Sequence, residues 1–235
     1  MIHAQDKILL YPNGPAESNE INEPEQFLRK DFMVKISEPR MYAYPASKEN
    51  NSGTAVLICP GGGYTGVSVI KEGEEIALWY NKIGVSAFVL YYRMPNFHHE
   101  IPLKDAQTAM EIIYKRAKEW GIDRKKIGIM GFSAGGHLAS TAGTHFTNKI
   151  NRPAFMVLAY PVISMQPEVT HKGSKNNLLG KNPDQKLVQL YSNELQVNKK
   201  TPPAFLFHAI DDQAVPVLNS QLFADALKKN KVAVE

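Results

Sequence analysis

Apolar runs of strand length recur along this chain, TAVLICP (54–60), VSAFVLYY (85–92), KIGIMG (126–131), AFMVLAYP (154–161) and AFLFHA (204–209), and stretches of helical period separate the first of them. That alternation is the mark of strand–helix–strand units built around a mainly parallel sheet. Runs with so few polar interruptions suit strands covered on both faces. In EEIALWYNKIG (74–84), Ile76, Leu78, Trp79, Tyr80 and Ile83 fall on a helix that Gly84 ends. From Leu103 the apolar positions 106, 109, 110, 113, 117 and 120 keep a 3.6-residue period until Gly121. A last helix is expected over roughly 217–229, after which KVAVE begins like a strand and the sequence stops. Near the start, FMVKI (32–36) and MYAY (41–44), separated by Glu38, Pro39 and Arg40, predict an opening hairpin.

The 235 residues, 43% of them hydrophobic, suffice for one sizeable core, so 1–235 is read as a single domain. Periodicity fades between Pro161 and Pro203, and a segment this long, around 162–203, is expected to be a lid or a mobile insertion. The net charge of +4 comes from scattered lysines, with no basic block interleaved with aromatics, which argues against nucleic acid as a partner. A lone cysteine, Cys59, excludes an internal disulfide or a thiolate metal cluster, and nothing in the sequence calls for a metal or a cofactor. No stretch approaches the roughly 18–20 apolar residues of a membrane span. Ile2 and Ala4 ahead of Gln5 fit the −3 and −1 positions of a signal cleavage site, so export to the periplasm or beyond is the expectation, with an ordinary start as the alternative.

Chemistry concentrates in three segments. IGIMGFSAGGHLAS (127–140) places Gly-x-Ser-x-Gly between a strand and a helix of small residues, the setting of a nucleophile elbow, where flanking side chains at Gly131 and Gly135 would collide with strand and helix. Ser133 is the candidate nucleophile; a serine that only caps the helix is the plain alternative. CPGGGY (59–64) follows a strand and offers backbone N–H groups that can approach a substrate closely. The amides of Gly62 and Gly63, with that of Ala134, are the candidate oxyanion donors, each such donor being worth on the order of 100 to 1000-fold in rate. A phosphate loop is disfavoured, because the Gly-Lys-Ser/Thr and G-x-G-x-x-G signatures are missing. HAIDDQAVP (208–216) sets an acidic pair after a strand, where this arrangement carries its acid; Asp212 is preferred over Asp211, and either could simply cap a turn.

With PGGGY, LYYR (90–93), PLKDAQTAM (102–110), WGIDRKKIGIMGFSAGGHLA (120–139) and FLFHAIDDQAVPV (205–217) in view, the chain resembles the bacterial α/β-hydrolase esterases related to acetyl xylan esterases and feruloyl esterases, from about residue 8 onward. The opening LLYPNGP is similar to the start of exported members. The resemblance implies an α/β-hydrolase fold, with a mostly parallel central sheet and helices on both faces. It places the nucleophile on Ser133, the acid on Asp212 and the oxyanion loop on Gly62 and Gly63.

None of the seven histidines, at 3, 98, 99, 137, 145, 171 and 208, fits the position of the base. His137 lies one helical turn after Ser133 and should point along the helix, and His208 suits a supporting hydrogen bond. His98 and His99 read as rim residues. His171, with Tyr64 and Asn177, is a candidate for the substrate-binding wall. The resemblance puts the base on a loop after the strand that KVAVE begins, so the expectation is a chain cut before its last strand, its histidine loop and its closing helix. The predicted function is a serine esterase that takes acetyl groups from small esters, acetylated oligosaccharides or xylan. The alternatives are a non-catalytic carbohydrate-binding form and, third, a glycoside hydrolase, whose two facing carboxylates the sequence does not reveal.

Overall fold

Alternating strand residues divide into two cores, one on each side of a seven-stranded sheet. The computed structural model describes residues 6–235, so the candidate cleavage residues Ile2 and Ala4, and His3 with them, lie outside the described residues. In chain order the elements are β1 (Asp6–Leu9), β2 (Gln26–Arg29), β3 (Phe32–Val34), β4 (Arg40–Tyr44), β5 (Ala55–Cys59), β6 (Gly66–Ser68), α1 (Glu75–Lys82), β7 (Ser86–Tyr91), α2 (Ile101–Arg116), β8 (Ile127–Phe132), α3 (Ser133–Thr144), β9 (Met156–Ala159), α4 (Lys172–Leu179), α5 (Gln185–Leu190), β10 (Ala204–Phe207) and α6 (Leu218–Lys229). The main sheet runs β1-β4-β7-β5-β8-β9-β10. Its first pairings, β1 with β4 and β4 with β7, are antiparallel, and from β7 to β10 every pairing is parallel. Leu57, Cys59, Phe88, Leu90 and Ile129 face the core shared with α2, α3 and α6, whereas Val56, Ile58, Val89, Met130 and Phe132 face the one under α1. The period of two explains why these strands read as unbroken apolar runs: both faces are covered.

The predicted opening hairpin does not form. Residues 32–34 pair with β2 and β6 in a separate three-stranded sheet, while β4 pairs with β1 and β7 in the main one. The Glu25 carboxylate accepts from the amides of Ser37 and Glu38 and from Arg40, fixing the chain as it passes from one sheet to the other. The apolar patterns were real, but their partners are distant strands that a local reading cannot find.

Between 162 and 203 the chain forms α4, α5 and a short 3-10 turn, and its Val162, Ile163, Met165, Leu178, Val188 and Tyr191 are buried in the main core. At the other edge the last residues pair with β10: Ala204 bridges Val234 in parallel, and the Leu206 amide donates to the Glu235 carbonyl. Among the described residues no helix is long and apolar enough to cross a membrane.

Candidate active site

Backbone crowding dictates the geometry at the end of β8. Ser133 has φ +50°, a strained value for a residue with a Cβ, and the positions two residues to either side of it, 131 and 135, must be glycine. A Cβ on Gly131 would lie 2.1 Å from the Gly135 carbonyl oxygen, and one on Gly135 would lie 2.0 Å from the carbonyl oxygen of Cys59. The small residues of α3 let the helix press against β8 and β5 so closely that the serine is thrust out at the C-terminal edge of the sheet. Ser133 is half-buried there.

The glycine loop after β5 lies across from it. Gly62 and Gly63 have φ +149° and +63°, and a Cβ on Gly62 would meet the Gly66 carbonyl oxygen at 2.1 Å. Their amides donate to no acceptor among the described residues. The Ala134 amide belongs to the first turn of α3, whose N–H groups the helix cannot satisfy itself. The loop is braced from three sides. The Tyr92 hydroxyl donates to the Pro60 carbonyl at 2.8 Å, Asn177 Nδ2 donates to the Gly63 carbonyl and to Thr65 Oγ1, each at 2.8 Å, and the Gly61 amide donates to Glu72 Oε2 at 2.6 Å.

The third segment follows β10. Asp212 Oδ1 accepts from the amides of Ala214 (2.8 Å) and Val215 (2.9 Å), and Oδ2 lies 3.5 Å from His208 Nε2. The Val215 amide foremost holds this carboxyl below its ordinary range. Asp212, Ser133, Gly61, Gly62, Gly63 and Glu72 line one cleft of about 360 Å³. Asp211 is exposed and does not line it. A serine on a strained turn, a set of unpaired amides and an anchored carboxylate thus share one small space, the furniture of acyl transfer.

A family model for BD-FAE matches residues 41–227. The chain belongs to the BD-FAE family. It is 44% identical over 175 residues to a protein named acetylxylan esterase from Xylanibacter ruminicola, covering 73% of this chain and 36% of that one. It is 38% identical over 208 residues to endo-1,4-beta-xylanase B of Butyrivibrio fibrisolvens, covering 83% of this chain and 32% of that one. The chain therefore spans about a third of the length of these curated relatives. Among solved structures, an acetyl ester-xyloside bifunctional hydrolase from Caldicellulosiruptor lactoaceticus superposes with a TM-score of 0.84 at 41% identity, over 98% of this chain and 84% of that one. The fold is that of the α/β-hydrolases.

In this BD-FAE chain the remaining sequence candidates have defined settings. His137 Nε2 donates to the Tyr191 carbonyl and Nδ1 accepts from the Tyr64 hydroxyl, both at 2.8 Å, so neither nitrogen is free to serve Ser133. Burial pushes its pKa down to about 4 and keeps it neutral. Tyr64 is itself buried, with its hydroxyl committed to His137 rather than presented to the cleft. His171 caps α4 by accepting from the Ser174 amide, and its Cε1 lies 3.9 Å from where a Cβ on Gly63 would stand. Asn177 holds the glycine loop as described. His208 braces the acid loop, with Nε2 donating to the Val215 carbonyl and Nδ1 paired with Ser220 Oγ. His99 pairs with the Tyr191 hydroxyl, and His98 lies at the surface near Glu20. Arg29, Ser68, Glu72 and Tyr160, which the sequence did not single out, also line the cleft. Glu72 sits in KEGEE, where an acid at a helix start looks like any solvated one. Among the described residues no group of three or more His, Cys, Asp or Glu side chains is arranged to hold a metal ion.

Proposed function

We propose that this chain is a serine carboxylic-ester hydrolase that removes small acyl groups, acetyl foremost, from acetylated sugars or xylan. The observation that carries the proposal is the strained Ser133 facing the open amides of Gly62 and Gly63 in a cleft that Asp212 also lines. The name of the relative at 44% identity supports the acetyl group and the xylan. In this mechanism Ser133 Oγ bonds to the ester carbonyl carbon while its proton passes to a histidine, and the carbonyl electron pair moves onto oxygen, held by the amides of Gly62, Gly63 and Ala134. Collapse breaks the bond to the alcohol oxygen, which leaves with the proton. Water repeats the sequence on the acyl-enzyme, releasing acetate. Asp212 Oδ1 is held by two amides, leaving Oδ2 to orient that histidine, which we place on a segment following Glu235 beside the paired residues of KVAVE.

Turnover of p-nitrophenyl acetate by the protein carried past Glu235 tests the proposal. Ser133→Ala is expected to lose activity by roughly 10⁴ to 10⁶-fold with its fold intact. No turnover by the unaltered protein, or turnover that survives the substitution, would overturn it. A form that binds carbohydrate without catalysis would leave Ser133 unlabelled by a fluorophosphonate even in that longer protein.

Glycoside hydrolysis is the second reading, favoured by the names of the xylanase relative and of the bifunctional structural neighbour and by two carboxylates, Glu72 and Asp212, in one cleft. Both oxygens of Glu72 already accept hydrogen bonds from the protein, Oε2 from the Gly61 amide and Oε1 from the Tyr160 hydroxyl, so the carboxyl is engaged with the scaffold rather than presented to a leaving group. Release of reducing sugar from deacetylated xylan that persists in Ser133→Ala and vanishes in Asp212→Asn would establish it.

A further inference from the structure

Glu72 is half-buried without being part of the hydrolytic scheme above, and its placement is unusual. It lies in a π-helical turn, Ile70–Glu74, in which the Glu74 amide donates to the Val69 carbonyl five residues back. Such turns are rare and concentrate at functional sites. Here Gly73 abuts β7, where a Cβ would stand 2.8 Å from Val89 Cγ1, and Glu72 faces the cleft. Its Oε2 accepts from the Gly61 amide at 2.6 Å and its Oε1 from the Tyr160 hydroxyl at 3.0 Å. No ion pair to it exists among the described residues, and Asp31, a like charge, is the charged group that acts on it.

We infer that Glu72 is a positioning residue that locks the glycine loop in register with Ser133, accepting at once from the Gly61 amide and from Tyr160 at the end of β9. The inference rests on the esterase reading. Gly61 is wedged between the carboxylate and the elbow: a Cβ there would lie 2.7 Å from Glu72 Oε2, 2.7 Å from the Phe132 carbonyl oxygen and 3.1 Å from Ser133 Cβ. The peptide that follows carries the Gly62 amide, so a shift of Gly61 moves an oxyanion donor directly. Tyr160, at a strained φ of +36°, ties the same carboxylate to the strand whose tip stands between the elbow and the acid loop. A carboxylate cannot donate to an oxyanion and its charge opposes one, so its use here is geometric. Misplacing catalytic groups by about 1 Å costs on the order of 100-fold in rate.

The test uses the full-length protein, with active sites counted by complete fluorophosphonate labelling. Glu72→Ala is expected to lower kcat per labelled site by roughly 100-fold, with KM for p-nitrophenyl acetate little changed, and to weaken a trifluoromethyl ketone inhibitor, whose adduct occupies the oxyanion site, by the same factor. Glu72→Gln keeps the shape and one acceptor and should lose roughly 10-fold in both; it also decides the matter if the alanine variant does not fold. If either variant changes only the number of labelled sites or the melting temperature, with kcat per site and ketone affinity as in the unaltered protein, the inference fails and Glu72 is scaffold. Failure of the esterase reading would look different, as turnover that survives Ser133→Ala.

Discussion

Two carboxylates are buried in this molecule in opposite ways. Asp105, on α2, is fully enclosed and meets the Arg93 side chain head-on, with Nη2 at 2.6 Å from Oδ1, Nε at 3.1 and 3.0 Å from the two oxygens, and the Arg93 amide at 2.9 Å from Oδ2. Glu72 meets only neutral donors, an amide and a hydroxyl. Desolvation pushes both carboxyls up, but in Asp105 the Arg93 charge opposes it, and in Glu72 no cation does. A charge matched by its opposite can sit anywhere in a core, where it ties elements together: here the end of β7 to α2. A charge left unmatched costs free energy wherever it sits, and this one sits beside the candidate nucleophile, where strain and expense are concentrated in working sites.

The largest effect that sharpens this contrast comes from unpairing Asp105. Arg93→Met leaves an uncompensated buried carboxylate and is expected to cost about 3–5 kcal/mol of unfolding free energy, measured by chemical denaturation. Turnover of p-nitrophenyl acetate per folded molecule should be unchanged, the reverse of the outcome expected for Glu72. If Arg93→Met instead lowers kcat per active site while stability holds, the pair is not scaffold and the distinction between the two carboxylates collapses.

His137 is the intermediate case, a buried titratable group kept neutral with both nitrogens engaged. Its folded pKa of about 4 lies below the ordinary 6.5, so its contribution is fully present above pH 6.5, falls away as the pH drops from 6.5 towards 4, and is lost completely below that. The full swing is about 3 kcal/mol. His137→Asn should be less stable at pH 7 but show a flatter acid limb in a plot of unfolding free energy against pH. Parallel curves for the two proteins would mean that the ring is charged or solvated, contrary to its burial.

What the sequence made legible follows the same division between local and distant causes. β5, β7, β8, β9 and β10 could be read because each is apolar on both faces, and the elbow because Gly131 and Gly135 answer to crowding within a few residues of Ser133. The small sheet of β2, β3 and β6 could not, since its ladder joins residues 26–34 to 66–68 and β2 is exposed throughout. The segments LYYR and PLKDAQTAM carried the family resemblance without showing a purpose; Arg93 and Asp105 now supply one. Glu72 was invisible for a physical reason, because the π turn that sends it inward leaves Glu74 and Glu75 around it looking the same in sequence. His137 could be set aside as a base from helix geometry alone, whereas its partners Tyr64 and Tyr191, 73 and 54 residues away, could not be guessed.

A third carboxylate marks the far end of the comparison. Glu38 pairs with Lys7 at 2.7 Å, and the hydrogen bond from Lys7 holds its carboxyl below the ordinary range, yet both side chains are about half exposed. Water screens such a pair, and holding two flexible side chains together costs entropy that offsets most of the attraction. Lys7→Ala should therefore cost well under about 1 kcal/mol at low salt and nothing measurable near 1 M, where the Debye length falls to about 3 Å. With its folded pKa depressed, Glu38 adds its small stability above the ordinary carboxylate range and loses it as the pH falls through the folded value. A loss comparable to that of Arg93→Met, or one indifferent to salt, would show that an ion pair here matters without burial, and the rule separating Asp105 from Glu72 would then have to rest on something other than desolvation.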